Sequence, residues 1–210
     1  MADRCSTRRA FGLMVFVASG WLTSGCGGQG TLTDRTVGMS QPSTAHLTIG
    51  ISGQSNADFL TPFLNGVDTV VGFSESSRPI ESWDEPNGYM WTHLLPALST
   101  PMRAFVWWQG EADYQATPGY YGRKLADVMR RVRAANGNPS LLMAVVELGP
   151  YYDGSTSKDE GHAWALADRH AVYIQTNDIP FKDGIHMPDD SYSLVAARVD
   201  RMIRARLAQR

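Results

Sequence analysis

The chain has 210 residues, 43% of them hydrophobic and 10% aromatic, with a formal net charge of −2. This composition excludes a disordered protein and is sufficient for one domain with a substantial core. The basic clusters Arg123-Lys124 and Arg130-Arg131-Arg133 fall on a predicted helix without interleaved aromatics, the pattern of a solvated face, so no nucleic acid is expected as a partner.

From the N-terminus, Arg4, Arg8 and Arg9 precede an apolar stretch from Phe11 to Leu22 that runs into Thr23-Ser24-Gly25-Cys26, the order of an export signal over residues 1–25. About 12 apolar residues are too few to span a bilayer as a permanent helix. Thr7-Arg8-Arg9-Ala10-Phe11 resembles the twin-arginine pattern, which a receptor reads. Ser24-Gly25-Cys26 resembles a bacterial lipobox, with Thr23 in place of the usual leucine. It marks Cys26 as a lipidation site that would hold the protein at a membrane; ordinary cleavage nearby is the alternative. Cys5 and Cys26 are the only cysteines, so a domain beginning after residue 44 has no disulfide framework even in an oxidising compartment. Loss of residues 1–25 removes three of 19 basic and one of 21 acidic residues, leaving 16 against 20. Residues 26–44, rich in Gly, Ser and Thr with Pro42, lack apolar periodicity and read as a flexible tether.

The domain is expected over residues 45–210. Apolar runs at Leu47–Ser52, Val67–Phe73, Ala104–Trp108, Leu141–Leu148 and Ala171–Gln175 predict five strands. Helical spacing predicts helices over Tyr89–Leu98, Pro118–Ala135, His162–Asp168 and Asp189–Leu207. In the second of these, Tyr121, Leu125, Val128, Met129 and Val132 make one apolar face, and Asn136-Gly137 supplies a stop. Strands alternating with helices imply a parallel sheet covered on both sides, a three-layer α/β domain. Reactive groups in such sheets gather at the carboxyl ends of the strands.

Three segments carry chemistry of one kind. Gly53-Gln54-Ser55-Asn56 follows the first strand, Trp108-Gln109-Gly110-Glu111-Ala112-Asp113 follows the third, and Asp183-Gly184-Ile185-His186 precedes the last helix. A serine hydroxyl needs a base to accept its proton, and the oxyanion it generates needs fixed N–H donors. His186 is the candidate base for Ser55, with Asp183 orienting the imidazole. The backbone N–H of Ser55 and the amide of Gln109 are candidate oxyanion donors. Glu111 reads as an acceptor behind the site or a helix-start cap rather than a catalytic acid. Trp107 and Trp108 are candidates for stacking on sugars, although consecutive strand residues face opposite sides and at least one belongs in the core; Trp83 and Trp91 share that ambiguity.

These blocks, in this order, resemble those of the SGNH (GDSL-type) hydrolases, in the branch of sialate O-acetylesterases and acetylxylan esterases. The resemblance spans about 140 residues, from Gly53 to the C-terminal helix. It implies a flavodoxin-like fold of about five parallel strands and hydrolysis of acetyl esters on carbohydrates without a cofactor. It implies Ser55 as nucleophile, His186 as base, Asp183 as its orienter and Gln109 as oxyanion donor, with Gln54, Asn56 and Glu111 behind them. The branch usually has Gly-Gly-Thr before an Ile-x-x-Trp stretch; here Ile80-Glu81-Ser82-Trp83 follows Ser76-Ser77-Arg78-Pro79. Only a backbone N–H is needed there, so Ser76 or Ser77 is expected to donate in place of glycine, provided the turn does not require positive φ. The stretch from Ser55 to the second strand is also short, which predicts an open cleft.

Other readings of the same residues are weaker. Asp183, His186, Asp189 and Asp190 lack the second histidine cluster that a metal site would call for. The first block has no second glycine of a Gly-x-Ser-x-Gly elbow, which disfavours an α/β-hydrolase. A lipid or thioester hydrolase of the same fold and a carbohydrate-binding lipoprotein without turnover remain as rivals, the first calling for a long apolar groove.

Overall fold

Five apolar segments form a wholly parallel sheet: β1 (Thr48–Gly53), β2 (Thr69–Ser74), β3 (Ala104–Trp108), β4 (Leu142–Val146) and β5 (Ala171–Ile174), in the order β2-β1-β3-β4-β5. A computed structural model describes residues 45–210; the export signal, Cys26 and the tether over 26–44 lie outside the described residues. Six α-helices accompany the strands among the described residues: α1 (Ser55–Asn65), α2 (Glu81–Asp84), α3 (Tyr89–Leu98), α4 (Tyr120–Ala135), α5 (Thr156–Ala167) and α6 (Asp189–Ala208).

Side chains alternate across β3 and so divide the core. Ala104, Val106 and Trp108 pack with Leu60 of α1 and Val195 and Val199 of α6. Phe105 and Trp107 point the other way, to Leu94 of α3 and Leu125 and Val128 of α4. Every residue of β3 and β4 is buried, which is why these strands read as unbroken apolar runs rather than as alternation. Trp107 and Trp108 are both fully buried, as is Trp83, and Trp91 is only 6% exposed. None of the four is free to stack on a sugar; they hold the layers together, each apolar side chain contributing about 1.5–3 kcal/mol by its burial.

The expected strands and helices are all present in chain order, but α1 and α2 are helices the sequence did not predict, and α5 and β2 begin at other residues than expected. α1 is not signalled because Pro62 sits inside it, where proline removes a backbone donor; the helix forms because Ala57, Leu60 and Leu64 bury against the sheet. α5 begins at Thr156 rather than His162, capped by the Ser155 hydroxyl accepting from Lys158 N–H at 3.4 Å. Gly161, a poor helix former inside α5, hides this helix in the sequence. β2 starts at Thr69, two residues later than expected, because Val67 and Asp68 donate their N–H groups to Leu64 O at the end of α1.

Where β1 meets α1, only glycine fits. Gly53 has φ 150°, and a Cβ there would stand 2.0 Å from Trp108 O. The next residue, Gln54, donates its N–H to that same carbonyl at 3.0 Å. The end of β1 is thereby held against the end of β3, and the chain turns straight into α1 with Ser55 at its first position. Among the described residues, no helix is long and apolar enough to cross a membrane.

Candidate active site

The carboxyl ends of β1, β2 and β3 and the loop before α6 meet around one cavity of about 690 Å³, whose lining includes Gln54, Ser55, Ser76, Ser77, Asp183 and His186. It lies where the strand order turns back on itself, with β1 between β2 and β3, the place expected for a site in an open parallel sheet.

Ser55 Oγ is 3.0 Å from His186 Nε2, and His186 Nδ1 is 3.1 Å from Asp183 Oδ2. The loop that carries the latter two is fixed by Asp183 itself, whose Oδ1 accepts from His186 N–H at 2.6 Å and Ile185 N–H at 2.9 Å. Gly184, at φ 79°, allows this tight fold. The His186 and Ile185 backbone N–H bonds, followed by the bond to the His186 ring, hold the Asp183 carboxyl down at about 2. It is therefore a carboxylate at neutral pH, and a carboxylate can only accept. In the neutral imidazole the proton therefore sits on Nδ1, which faces Asp183, and the lone pair of Nε2 faces Ser55. Phe59 meets the His186 ring edge-on at 5.8 Å.

Around Ser55 are unused donors. Ser55 is the first residue of α1, and its N–H has no partner among the described residues, as is general for the first turn of a helix. Ser76 and Ser77 line the cavity, and their backbone N–H groups likewise have no partner among the described residues. Ser77 adopts φ 60°. The turn does require positive φ, which costs a non-glycine residue about 1–2 kcal/mol, and serine occupies it nonetheless.

Gln109 departs from expectation. Its amide nitrogen donates to Arg78 O at 3.1 Å and to Asp113 Oδ2 at 2.5 Å, so both hydrogens are committed. Both partners are acceptors, which fixes the amide orientation. Gln109 is not part of the cavity lining. In this arrangement it braces the Arg78 turn against β3 and is not a donor to the cavity.

Asn56 and Glu111 form the floor behind Ser55. Asn56 Nδ2 donates to Glu111 Oε1 and to Ile185 O, both at 3.0 Å, and its Oδ1 accepts from Tyr192 O–H at 2.7 Å. Tyr192 is a site residue that the sequence did not single out; its only signal is its place in the first turn of the last helix. Glu111 Oε2 is buried and has no partner among the described residues. Burial lifts the Glu111 carboxyl from the usual 4.5 to about 7, against the opposing pull of Asn56. Burial likewise raises Asp113 from 3.8 to about 6, against its bonds from Gln109 and from Ile80 N–H. Among the described residues no group of three or more His, Cys, Asp or Glu is placed to hold a metal ion.

The raised carboxyls make stability depend on pH. Each folded-state value lies above its unfolded value, so the folded chain holds more protons between the two; the contribution is complete below the unfolded values and is lost as pH rises through about 6 and then about 7. Denaturation midpoints are expected to fall from about pH 5 to about pH 8, and to fall less in Glu111→Gln, which keeps an acceptor for Asn56. Equal declines in the two proteins would contradict the assignment to Glu111.

The sequence profile of the family described as carbohydrate esterase, sialic acid-specific acetylesterase (SASA), matches residues 63–204. That span holds Gln109, Glu111, Asp183 and His186 and starts after Ser55, whose place in the site rests on its contact with His186. No curated protein matches the chain by sequence. Among solved structures, an Arabidopsis thaliana protein superposes with a TM-score of 0.63 at 13% identity, covering 77% of this chain and 99% of that one. A carbohydrate acetylesterase from Xanthomonas citri gives 0.59 at 14% identity, covering 76% of this chain and 57% of that one, so the chain spans little more than half of that protein. A G-D-S-L family protein from Desulfitobacterium hafniense gives 0.57 at 8% identity, covering 74% and 99%. At these identities the likeness is one of fold, that of the SGNH hydrolases. By its sequence match over residues 63–204, the chain belongs to the SASA carbohydrate esterase family and is an ester-hydrolysing enzyme.

Proposed function

We propose that the chain is an exported serine esterase that removes acetyl groups from carbohydrates through an acetyl-enzyme. The observation that carries this is the contact of Ser55 Oγ with His186 Nε2 at 3.0 Å, backed by Asp183 at 3.1 Å. Ser55 Oγ attacks the acetyl carbonyl carbon and its proton passes to His186 Nε2. The oxyanion that forms faces the Ser55 N–H and the N–H of Ser77 or Ser76. Collapse expels the sugar oxygen, which takes the proton back from His186 and leaves as a hydroxyl. Water then attacks acetyl-Ser55, gives a proton to His186, and acetate and free Ser55 result.

The lip of the cavity supports a sugar as leaving group. Tyr151, 62% exposed, and Tyr114 sit edge-on to Tyr152, which lines the cavity. These tyrosines offer the aromatic surface that the buried tryptophans do not. A lipid or thioester hydrolase is favoured less, because Gln54, Glu111, Lys182 and Asp183 interrupt the lining where a long acyl groove would be apolar. A binder without turnover is favoured less because serine, imidazole and carboxylate stand within hydrogen-bonding distance of one another.

Residues 1–25 supply the export signal in this proposal, and lipidated Cys26 ties the enzyme to a membrane of the cell envelope through residues 26–44. Fatty-acid labelling of the full chain is expected to be lost in Cys26→Ala; label that persists would refute the anchor.

Hydrolysis of p-nitrophenyl acetate and of acetylated sugars by the domain tests the chemistry. Ser55→Ala is expected to lower kcat by at least about 10⁴-fold. Asp183→Asn is expected to lower it by roughly 10²–10⁴-fold, because an amide NH₂ facing Nδ1 forces the proton onto Nε2 and removes the lone pair aimed at Ser55. Turnover that survives Ser55→Ala would sink the mechanism.

A further inference from the structure

With Gln109 committed elsewhere, the oxyanion lacks the side-chain donor that the sequence assigned to it. Gln54, immediately before Ser55, is 3% exposed and lines the same cavity. Its Oε1 accepts from two backbone groups beyond β3, Gly110 N–H at 3.3 Å and Ala112 N–H at 3.2 Å. Two donors on one side settle which atom is oxygen, because a turned amide would put NH₂ against N–H. The Gln54 NH₂ therefore points away from that pair, and it has no hydrogen-bond partner among the described residues. Nor is Nε2 among the sealed polar atoms without partners, in contrast to Gln109 Oε1 and Glu111 Oε2.

A buried amide whose oxygen is pinned and whose NH₂ is open toward a cavity is a preorganised donor. Held in place before substrate arrives, it needs no reorganisation as charge develops. We propose that Gln54 Nε2, and not Gln109, is the side-chain donor of the oxyanion hole, acting with the N–H groups of Ser55 and Ser77. The assignment rests on the reading of Ser55 as nucleophile. It also gives the Gly110 and Ala112 amides a purpose: they orient Gln54. Gln109 becomes a positioning residue that holds the turn carrying Ser77 through Arg78 O.

Gln54→Glu separates a catalytic role from a structural one, because it keeps the oxygen that Gly110 and Ala112 bind and replaces only the NH₂. At about pH 8, kcat for p-nitrophenyl acetate is expected to fall roughly 10²–10³-fold with KM changed little, and the thermal midpoint to stay near that of the unmodified protein. Affinity for methylboronic acid, whose tetrahedral adduct on Ser55 puts an oxygen in the oxyanion position, is expected to fall by a similar factor. A purely structural role leaves kcat and boronate affinity within about threefold in Gln54→Glu, and that result overturns the proposal. Should this variant fail to fold, Gln54→Met is read by the same two measurements, with the same losses expected and the same retention fatal. Ser55→Ala run in parallel keeps the two claims apart: if it is inactive while Gln54→Glu retains kcat, only the Gln54 assignment falls, whereas activity in Ser55→Ala overturns both.

Discussion

The Asn56 side chain spends both amide hydrogens and accepts a third bond on three different parts of the chain: Glu111 after β3, Ile185 O in the loop before α6, and Tyr192 in α6 itself. Because Asn56 directly follows Ser55 at the start of α1, this one amide sets the distance between the serine and the loop that carries His186 and Asp183. Residues 55 and 186 are remote in sequence, and bringing them together incurs loop-closure and side-chain entropy costs. A buried amide with three bonds meets that requirement in a way exposed polar contacts cannot, since breaking one of them would strand a polar group away from water.

The β1–β3 junction extends the same logic. Gly53 lets the end of β1 approach Trp108 O, Gln54 donates its N–H to that carbonyl, and its side chain reaches on to Gly110 and Ala112. Glu111 lies between these last two residues and bonds Asn56. The segments Gly53 to Asn56 and Trp108 to Ala112 are thus laced together twice, by backbone and by amide side chains. The cost is carried by Glu111, whose second oxygen is buried without a partner and whose carboxyl is accordingly pushed up to about 7.

Much of this was legible in the sequence. The five strands and the three-layer core followed from apolar runs and helical spacing, because β3 and β4 are buried on both faces and α4 and α6 each carry a single apolar stripe, whereas the order of the strands in the sheet comes from the structure. The serine, histidine and aspartate were named from their blocks, and the structure brings them within hydrogen-bonding distance. What sequence could not give was the use to which each amide is put. Gln54 and Gln109 flank the same junction, and only the partners of each show that Gln109 NH₂ is taken up by Arg78 and Asp113 while Gln54 NH₂ is not. The tryptophans stayed ambiguous for a related reason: the place of Trp107 and Trp108 at the end of β3 said nothing about which side of the sheet was covered, and both sides were. α1 was hidden by Pro62, since burial of Leu60 and Leu64 is a tertiary effect that local propensity does not report.

The central claim is that Ser55 takes up the acyl group. Mass analysis of peptides from domain quenched in acid within its first turnovers of p-nitrophenyl acetate tests this most directly. An acetyl group on the peptide containing Ser55, accumulating further in a His186→Ala variant given ample time to acylate and little means to hydrolyse the product, is the predicted result. Turnover with no acetyl on that peptide in either protein, or acetyl carried on a different residue at a kinetically competent rate, would contradict it.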